Sequence, residues 1–450
     1  MREAGKRRAR GRGRPAAAAA RTRGRAAGHA AAGDAAPRPS RSVLAAARRN
    51  TQREALLDEA AAQFNARGIS GTSINDVARR IGLTRAALYY YVDDRDDLVF
   101  QCYERACQLT ADDLRRADED GADGPAKVEA YVRRALDPER PVSAVLSEIA
   151  HLAAPMRAVV DKASERNVAA LEAFIRSGIE AGTVRACDAH VIAQSIMGIL
   201  NWVVLTPAWL GNGGAFQARI ADALVDLFET GYAARRDAVV RCPVDVATLA
   251  DAPGNLFDRE SAAALKTEQL LATASRLFNQ RGVDGVSLDD IADALGATKG
   301  ALYHYFADKR ELILSCYERS YRLYERFSDI AAETGRTGLE RGMIGLHLNV
   351  QAQIGGPWPF APLIGAESIA PRARKDLVRR MERLWQRFSQ FGRDGIADGS
   401  NRGCDIEALA LAGAGAFGWI PKWLPESETA RKWEIADEIV RLFLHGLRRR

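Results

Sequence analysis

One stretch of this chain is written twice. Ser73–Leu98 reads SINDVARRIGLTRAALYYYVDDRDDL, and Ser287–Leu312 reads SLDDIADALGATKGALYHYFADKREL. The offset is 287 − 73 = 214, and it also relates Phe64 to Phe278, Leu88 to Leu302, Tyr91 to Tyr305 and Leu98 to Leu312. Solenoid repeats have periods of about 20 to 50 residues, so a spacing this long means a duplicated domain. The copying extends further: Cys-Tyr-Glu-Arg stands at 102–105 and 316–319, and Pro207-x-Trp209-Leu210 is matched by Pro421-x-Trp423-Leu424. The chain must therefore build one architecture twice, and its 450 residues suffice for two or more domains with sizeable cores.

Each copy reads as two short helices, a tight turn, and the start of a third helix. In the first copy Ser73 precedes an apolar-periodic run and Asp76 stands three residues later, a capping-box pattern. Ile74, Val77, Ala78 and Ile81 form one helical stripe, and Gly82 ends it. Thr84 caps the next helix, whose Leu88 and Val92 are one turn apart. In the second copy Ser287 and Asp290 form the box, and Ile291, Ala292 and Leu295 carry the stripe. Gly296 stops it and Thr298 caps the next helix. So short a turn makes the two helices cross, which is the helix-turn-helix arrangement.

The second helix of each pair suits nucleic acid. Arg85 and Lys299 put a cation in its first turn, where the helix dipole prefers anions. A cation placed against the dipole serves something other than the fold, and a phosphate backbone fits. Ala86, Ala87, Gly300 and Ala301 are small enough for close approach to base edges. Tyr89, Tyr90, Tyr303 and His304 add donors. For Tyr91 and Tyr305 core packing and phosphate contact stand level; Tyr89 and Tyr303 favour phosphate.

Both copies resemble the DNA-binding region of the TetR family of bacterial transcriptional regulators. The second matches that pattern at Phe278, Gly282, Asp290, Ile291, Ala292, Gly296, Thr298, Lys299, Gly300, Leu302, Tyr303, His304, Phe306, Lys309 and Leu312. The first departs from it, with Arg85 for Lys, Ala86 for Gly, Val92 for Phe and Arg95 for Lys. The resemblance implies DNA contacts from Thr84, Arg85, Ala86, Ala87, Tyr89, Tyr90 and Arg95 in one copy. In the other it implies Thr298, Lys299, Gly300, Ala301, Tyr303, His304 and Lys309. It also implies an all-α fold whose later helices enclose a small-molecule pocket and whose last two helices build a four-helix, dimer-type interface. His151, Asn201, Trp202, Trp209, Trp419 and Trp423 are the candidates to line that pocket; packing in a core or interface is the plain alternative for each.

Composition narrows the rest. Residues 1–50 hold 14 Lys/Arg and 2 acids, a net of +12, so the remainder carries 6 − 12 = −6. The basic balance belongs to the tail and not to the body. That tail is mostly Arg, Ala, Gly and Pro, cannot bury a core, and reads as disordered, either an arm for nonspecific phosphate contact or a dispensable extension. No apolar run is long enough to cross a membrane, so a cytoplasmic protein is expected. Six cysteines without a Cys-x-x-Cys pair read as buried free thiols. No phosphate loop, nucleophile elbow or paired-His motif occurs, so no enzyme, cofactor or metal site is read.

The predicted organisation is a tail over 1–50, helix-turn-helix domains over 51–98 and 263–312, helical ligand-binding and dimerisation domains over 99–236 and 313–450, and a linker over 237–262. The first helix is expected from Thr51, and helices over Lys127–Leu136, Val142–Leu152, Pro155–Ala181, Asp188–Leu205 and Phe216–Arg235. Gly355-Gly356-Pro357-Trp358-Pro359 reads as a loop found in the second half alone. The expected function is a regulator that binds double-stranded DNA as an imperfect palindrome and is released by a small apolar or amphipathic effector. It works as an intramolecular pseudo-dimer or as a homodimer. A ligand-independent architectural DNA binder is the competing reading, and a first copy that is only structural is another.

Overall fold

Gly198 and Gly415 fix how the two halves meet. In a computed structural model of the chain, a Cβ on Gly198 would lie 2.8 Å from the Gly415 carbonyl oxygen, and one on Gly415 would lie 2.6 Å from that of Gly198. Two helix backbones touch where neither carries a side chain. The structure describes residues 41–206, 214–249, 259–360 and 369–449. Met1–Arg49 and Asn50–Arg450 are separate units, and the second contains both helix-turn-helix copies and both helical domains.

The fold is all-α. The first half runs α1 (Arg41–Arg67), α2 (Ile74–Arg80), α3 (Arg85–Leu88), α4 (Arg95–Asp120), α5 (Gly124–Ala135), α6 (Ala154–Glu180), α7 (Ala189–Leu205) and α8 (Gly214–Thr230). The second half repeats the order with α9 (Arg259–Arg281), α10 (Leu288–Leu295), α11 (Lys299–Tyr303), α12 (Lys309–Thr334), α13 (Gly338–Gly355) and α14 (Pro371–Ala397). Where the first half has one α7, the second has two pieces, α15 (Ile406–Ala412) and α16 (Ala414–Gly418), and then α17 (Ile420–Trp423) and α18 (Lys432–His445). Gly413, Gly418 and Pro421 explain the breaks, since Gly weakens a helix interior and Pro removes a donor.

Each helix-turn-helix domain has its own core. Leu56, Leu57, Phe64, Val77, Leu88, Val92 and Leu98 close the first, and Leu270, Phe278, Ile291, Leu302, Phe306 and Leu312 the second. The repeated Cys-Tyr-Glu-Arg explains itself. Cys102 and Cys316 are buried thiols over the Leu57 and Leu271 carbonyls, and burial pushes both up to about 12. Tyr103 and Tyr317 are fully buried. Arg105 binds Glu54 and Asp58 at 2.7 Å each, and Arg319 pairs with Glu268. All six cysteines are free, four buried and two half-buried.

The large core is shared between halves. Ile192, Ile196 and Ile199 on α7 and Leu224 and Leu227 on α8 pack with Leu409 and Ala412 on α15 and Ile439 and Phe443 on α18. Backbone bonds then exchange across a pseudo-twofold axis. Arg185 N–H donates to the Leu447 carbonyl and Arg402 N–H to that of Tyr232, both at 2.9 Å. Arg449 N–H donates to Thr183 at 2.8 Å, and Ala234 N–H to Ser400 at 2.9 Å. Two isolated β-bridges, Val184 with Arg448 and Ala233 with Asn401, mark the exchange, and there is no strand among the described residues.

Several expectations change. The first helix begins at Arg41 and not Thr51, because Ala45–Ala47, Arg48 and Arg49 are good helix formers that extend it into the predicted disordered tail. Residues 1–40 lie outside the described set. Ser73 makes no side-chain cap, whereas Ser287 and Asp290 complete their box; Asp76 binds Arg79 at 2.7 Å instead. The predicted helix Val142–Leu152 is an irregular segment ending in a 3₁₀ turn at Ile149–His151, held by Asn65 through Ser143 and Val145. Residues 237–249, the described first part of the linker, dock on the second half. Cys242 and Val246 pack with Phe327, Ile344 and Leu348, and Gln351 bonds the backbone of Val244 and Val246. Apolar residues at 240, 242, 244 and 246 alternate, a period-two signal.

A side chain at the glycine crossing has no room. Gly198→Val and Gly415→Val should each lower stability by about 1–3 kcal/mol in urea unfolding. Gly403→Ala, whose Cβ would meet nothing within 4 Å, should be neutral.

Candidate functional site

The two recognition helices are short, capped and exposed. Thr84 accepts from Ala87 N–H at 3.2 Å and Thr298 from Ala301 N–H at 3.3 Å. Gly82 and Gly296 turn the chain at φ 73° and 62°, which an L side chain resists. Leu88 and Leu302 are buried beneath, leaving Arg85, Ala86, Gly300, Ala301 and His304 on the outside. Tyr89, Tyr90 and Tyr303 are among the exposed large apolar side chains, at 42%, 67% and 50%. Arg85 lies 5.8 Å over the Tyr89 ring. Ala87 is half-buried. Tyr91 turns back and donates to Gln52 at 2.9 Å, and Tyr305 packs on the second core. The side chain of Lys299 lies outside the described set.

Arg95 and Lys309, equivalent in the two copies, point inward. Arg95 donates to the Ile69 carbonyl, and Lys309 to that of Val283 at 2.6 Å. Burial lowers the Lys309 pKa. Both latch the start of a long helix to the loop before the helix-turn-helix, so neither belongs to the outward face.

The two domains touch through those same loops. Ser70 N–H donates to Asp284 at 2.9 Å, joining equivalent positions of the copies. Glu148 is wedged between them. Its carboxylate accepts from Ile69 N–H at 2.8 Å, and a Cβ on Gly282 would lie 2.8 Å from its Cγ. Lys422 on α17 donates to the Ser147 carbonyl and, at 3.5 Å, to that of Gln280. Burial, then the Asp284 carboxylate, pushes Glu148 up to about 7. Burial pushes Lys422 down to about 8 against the pull of Glu148.

A second loop ties the second helical domain to its DNA-binding domain. After α13, Pro359 accepts from Asn279 at 2.9 Å and from Gln353 at 2.8 Å. Phe360 packs 4.5 Å from the Tyr317 ring and 5.6 Å from that of Phe278. This is the use of the Gly-Gly-Pro-Trp-Pro stretch. Asn65 and Asn279, Glu148 and Lys422 escaped the sequence reading. The Asn pair was findable, since each stands directly after the repeated Phe.

An apolar cavity of about 190 Å³ opens between α12, α13, α14 and α15, with Met343, Met381, Trp385 and Phe388 in its wall. Trp202 and Tyr232 of the first half close it. Trp202 also donates to the Leu411 carbonyl at 2.9 Å. Of the five pocket candidates among the described residues, Trp202 alone stands in this wall. His151 lies 3.1 Å from Asp96, Asn201 is half-buried on α7, Trp419 packs with Val145 and Leu205, and Trp423 faces His190. Trp209 lies outside the described residues.

Fold and site define a tandem helix-turn-helix protein with helical companion domains. A family model describing bacterial regulatory proteins of the tetR family matches residues 56–102 and again 270–316, and a tetracyclin repressor-like C-terminal domain matches 126–232. The chain belongs to the TetR family, with two of its units in tandem. The regulator AcrR of Shigella flexneri is 45% identical over 53 residues, 12% of this chain and 25% of the relative. A probable acrEF/envCD operon repressor of Escherichia coli K12 is 49% identical over 55 residues, 12% and 25%. The chain thus spans a quarter of the length of these two relatives. Among solved structures, PfmR of Thermus thermophilus is similar at TM-score 0.35 and 25% identity, over 40% of this chain and 99% of that one. Among the described residues no helix is long and apolar enough to cross a membrane.

Glu148 sets a pH dependence. Its folded pKa of about 7 exceeds the ordinary 4.5, so the native state binds the extra proton between those values. Its contribution to stability falls as pH rises from 4.5 to 7 and is level above, at most about 1.4 kcal/mol per pH unit. Urea unfolding from pH 5 to 7 should show this slope, and Glu148→Gln should flatten it.

Proposed function

We propose that this chain is a sequence-specific transcriptional regulator that sets two non-identical recognition helices on one double-stranded DNA operator from a single polypeptide. The exchange of backbone bonds across the pseudo-twofold axis carries this reading. The surface through which a second chain would pair is occupied by the chain's own other half. A symmetric operator reader needs two recognition helices about 34–36 Å apart on the duplex. A covalent pair supplies both at an effective concentration of roughly millimolar. Arg85-Ala86-Ala87-Leu88-Tyr89-Tyr90 and Lys299-Gly300-Ala301-Leu302-Tyr303-His304 differ, so the preferred site is an imperfect palindrome. A small apolar effector in the cavity releases it, because α13 lines the cavity and ends in the loop that grips Asn279 and Phe278. A ligand that favours the DNA-incompetent arrangement shifts the population away from the operator.

Binding to DNA upstream of its own gene, followed by fluorescence anisotropy across salt concentrations, tests this. Arg85→Ala and Lys299→Ala should each weaken promoter binding about tenfold and lower the salt slope by about one. Equal affinity for promoter and random DNA, unmoved by either substitution, would favour the architectural alternative. Loss confined to Lys299→Ala would make the first copy structural.

A further inference from the structure

Two buried carboxamides of the second half are left half-used. Asn349 on α13 and Asn401 after α14 line the cavity and are 2% and 6% exposed. Asn349 donates to the Gly345 carbonyl at 2.8 Å and Asn401 to that of Gly392 at 3.1 Å, which fixes their nitrogens. The oxygen of each has no partner among the described residues. A buried acceptor left bare costs about 1–3 kcal/mol, and both oxygens are closed off from open space, so an occupant that supplies donors meets them once the carboxamides turn to the cavity. Among the described residues no charged side chain lines the cavity, so a carboxylate or ammonium there would lose its hydration without a counter-charge.

The first half does not repeat this site. Gly124 and Gly338 sit at equal places, since a Cβ on each would strike the carbonyl of Phe174 or Phe391 at 2.5 and 2.4 Å. That register sets Gly342 opposite Val128, and Asn349 opposite Ala135. Likewise Gly178 is closed by Val184 as Gly395 is by Asn401. Both acceptors are therefore apolar residues in the first half. A Cβ on Gly342 would enter open space, whereas Val128 is 1% exposed in a filled core.

We propose that each chain takes one effector, in the second half, and that this effector is an uncharged, mostly apolar molecule whose hydroxyl or N–H groups donate to Asn349 and Asn401. The proposal deepens the effector reading above and rests on it for its regulatory meaning. Trp202 and Tyr232 make the occupant a contact of both halves, so one molecule is felt across the pseudo-twofold axis.

Equilibrium dialysis of the full chain against 4-phenylphenol, 4-methoxybiphenyl and biphenyl-4-carboxylate tests the site without DNA. The phenol should bind at one per chain, about tenfold tighter than its methyl ether and the carboxylate. The double variant Asn349→Leu/Asn401→Leu should lose that preference and still bind the ether. Gly342→Val, which copies Val128, should abolish binding while promoter affinity stays intact. Two phenols per chain, an ether bound as tightly as the phenol, or no phenol bound by the unaltered chain would overturn the proposal. Phenol bound at one per chain without release of promoter DNA, read by anisotropy, would uphold the site and remove its regulatory role.

Discussion

Everything in this molecule depends on two helix backbones meeting at Gly198 and Gly415. Because no side chain intervenes, Trp202 can reach the Leu411 carbonyl. The chain segments beyond the crossing then come close enough to trade backbone hydrogen bonds in both directions. Those bonds satisfy groups at the ends of α6, α8, α14 and α18 that would otherwise need water or another chain. The two halves thus share one core within a single chain. The halves have diverged, since α7 is one helix and its counterpart is broken into α15 and α16.

The divergence has direction. The first half fills its helical domain with a side chain at Val128, while the second keeps Gly342 and leaves open space there. The segment that contacts DNA-binding domain one carries Glu148, wedged between both domains, and its partner Lys422 comes from the other half. The loop that contacts domain two grows from α13, which lines the cavity. The cavity therefore belongs mostly to the second half.

Much of this was legible in the sequence where the residues act locally. Thr84, Thr298, Gly82 and Gly296 do what cap and turn chemistry requires, and the repeated Phe, Leu and Cys lie in the cores. The capping box formed at Ser287 but not at Ser73, where Asp76 found Arg79 one turn away. The sequence failed where the partner is remote. Nothing adjacent to Arg95 or Lys309 announces that their cations end on the carbonyls of Ile69 and Val283. In this structure both cations latch a helix start to a loop. Glu148, Lys422, Asn349 and Asn401 are single polar residues in apolar surroundings, and only the fold brings their neighbours. The linker hid its docking in a four-step alternation too short to stand out.

The central claim is that one polypeptide is the whole DNA-reading assembly. The direct test is the mass of the purified chain, free and bound to its promoter duplex, by light scattering. One chain of 49.0 kDa free in solution, and one chain per duplex, is the predicted result. Two chains per duplex would contradict it, because the shared core would then have to form between molecules and not within one.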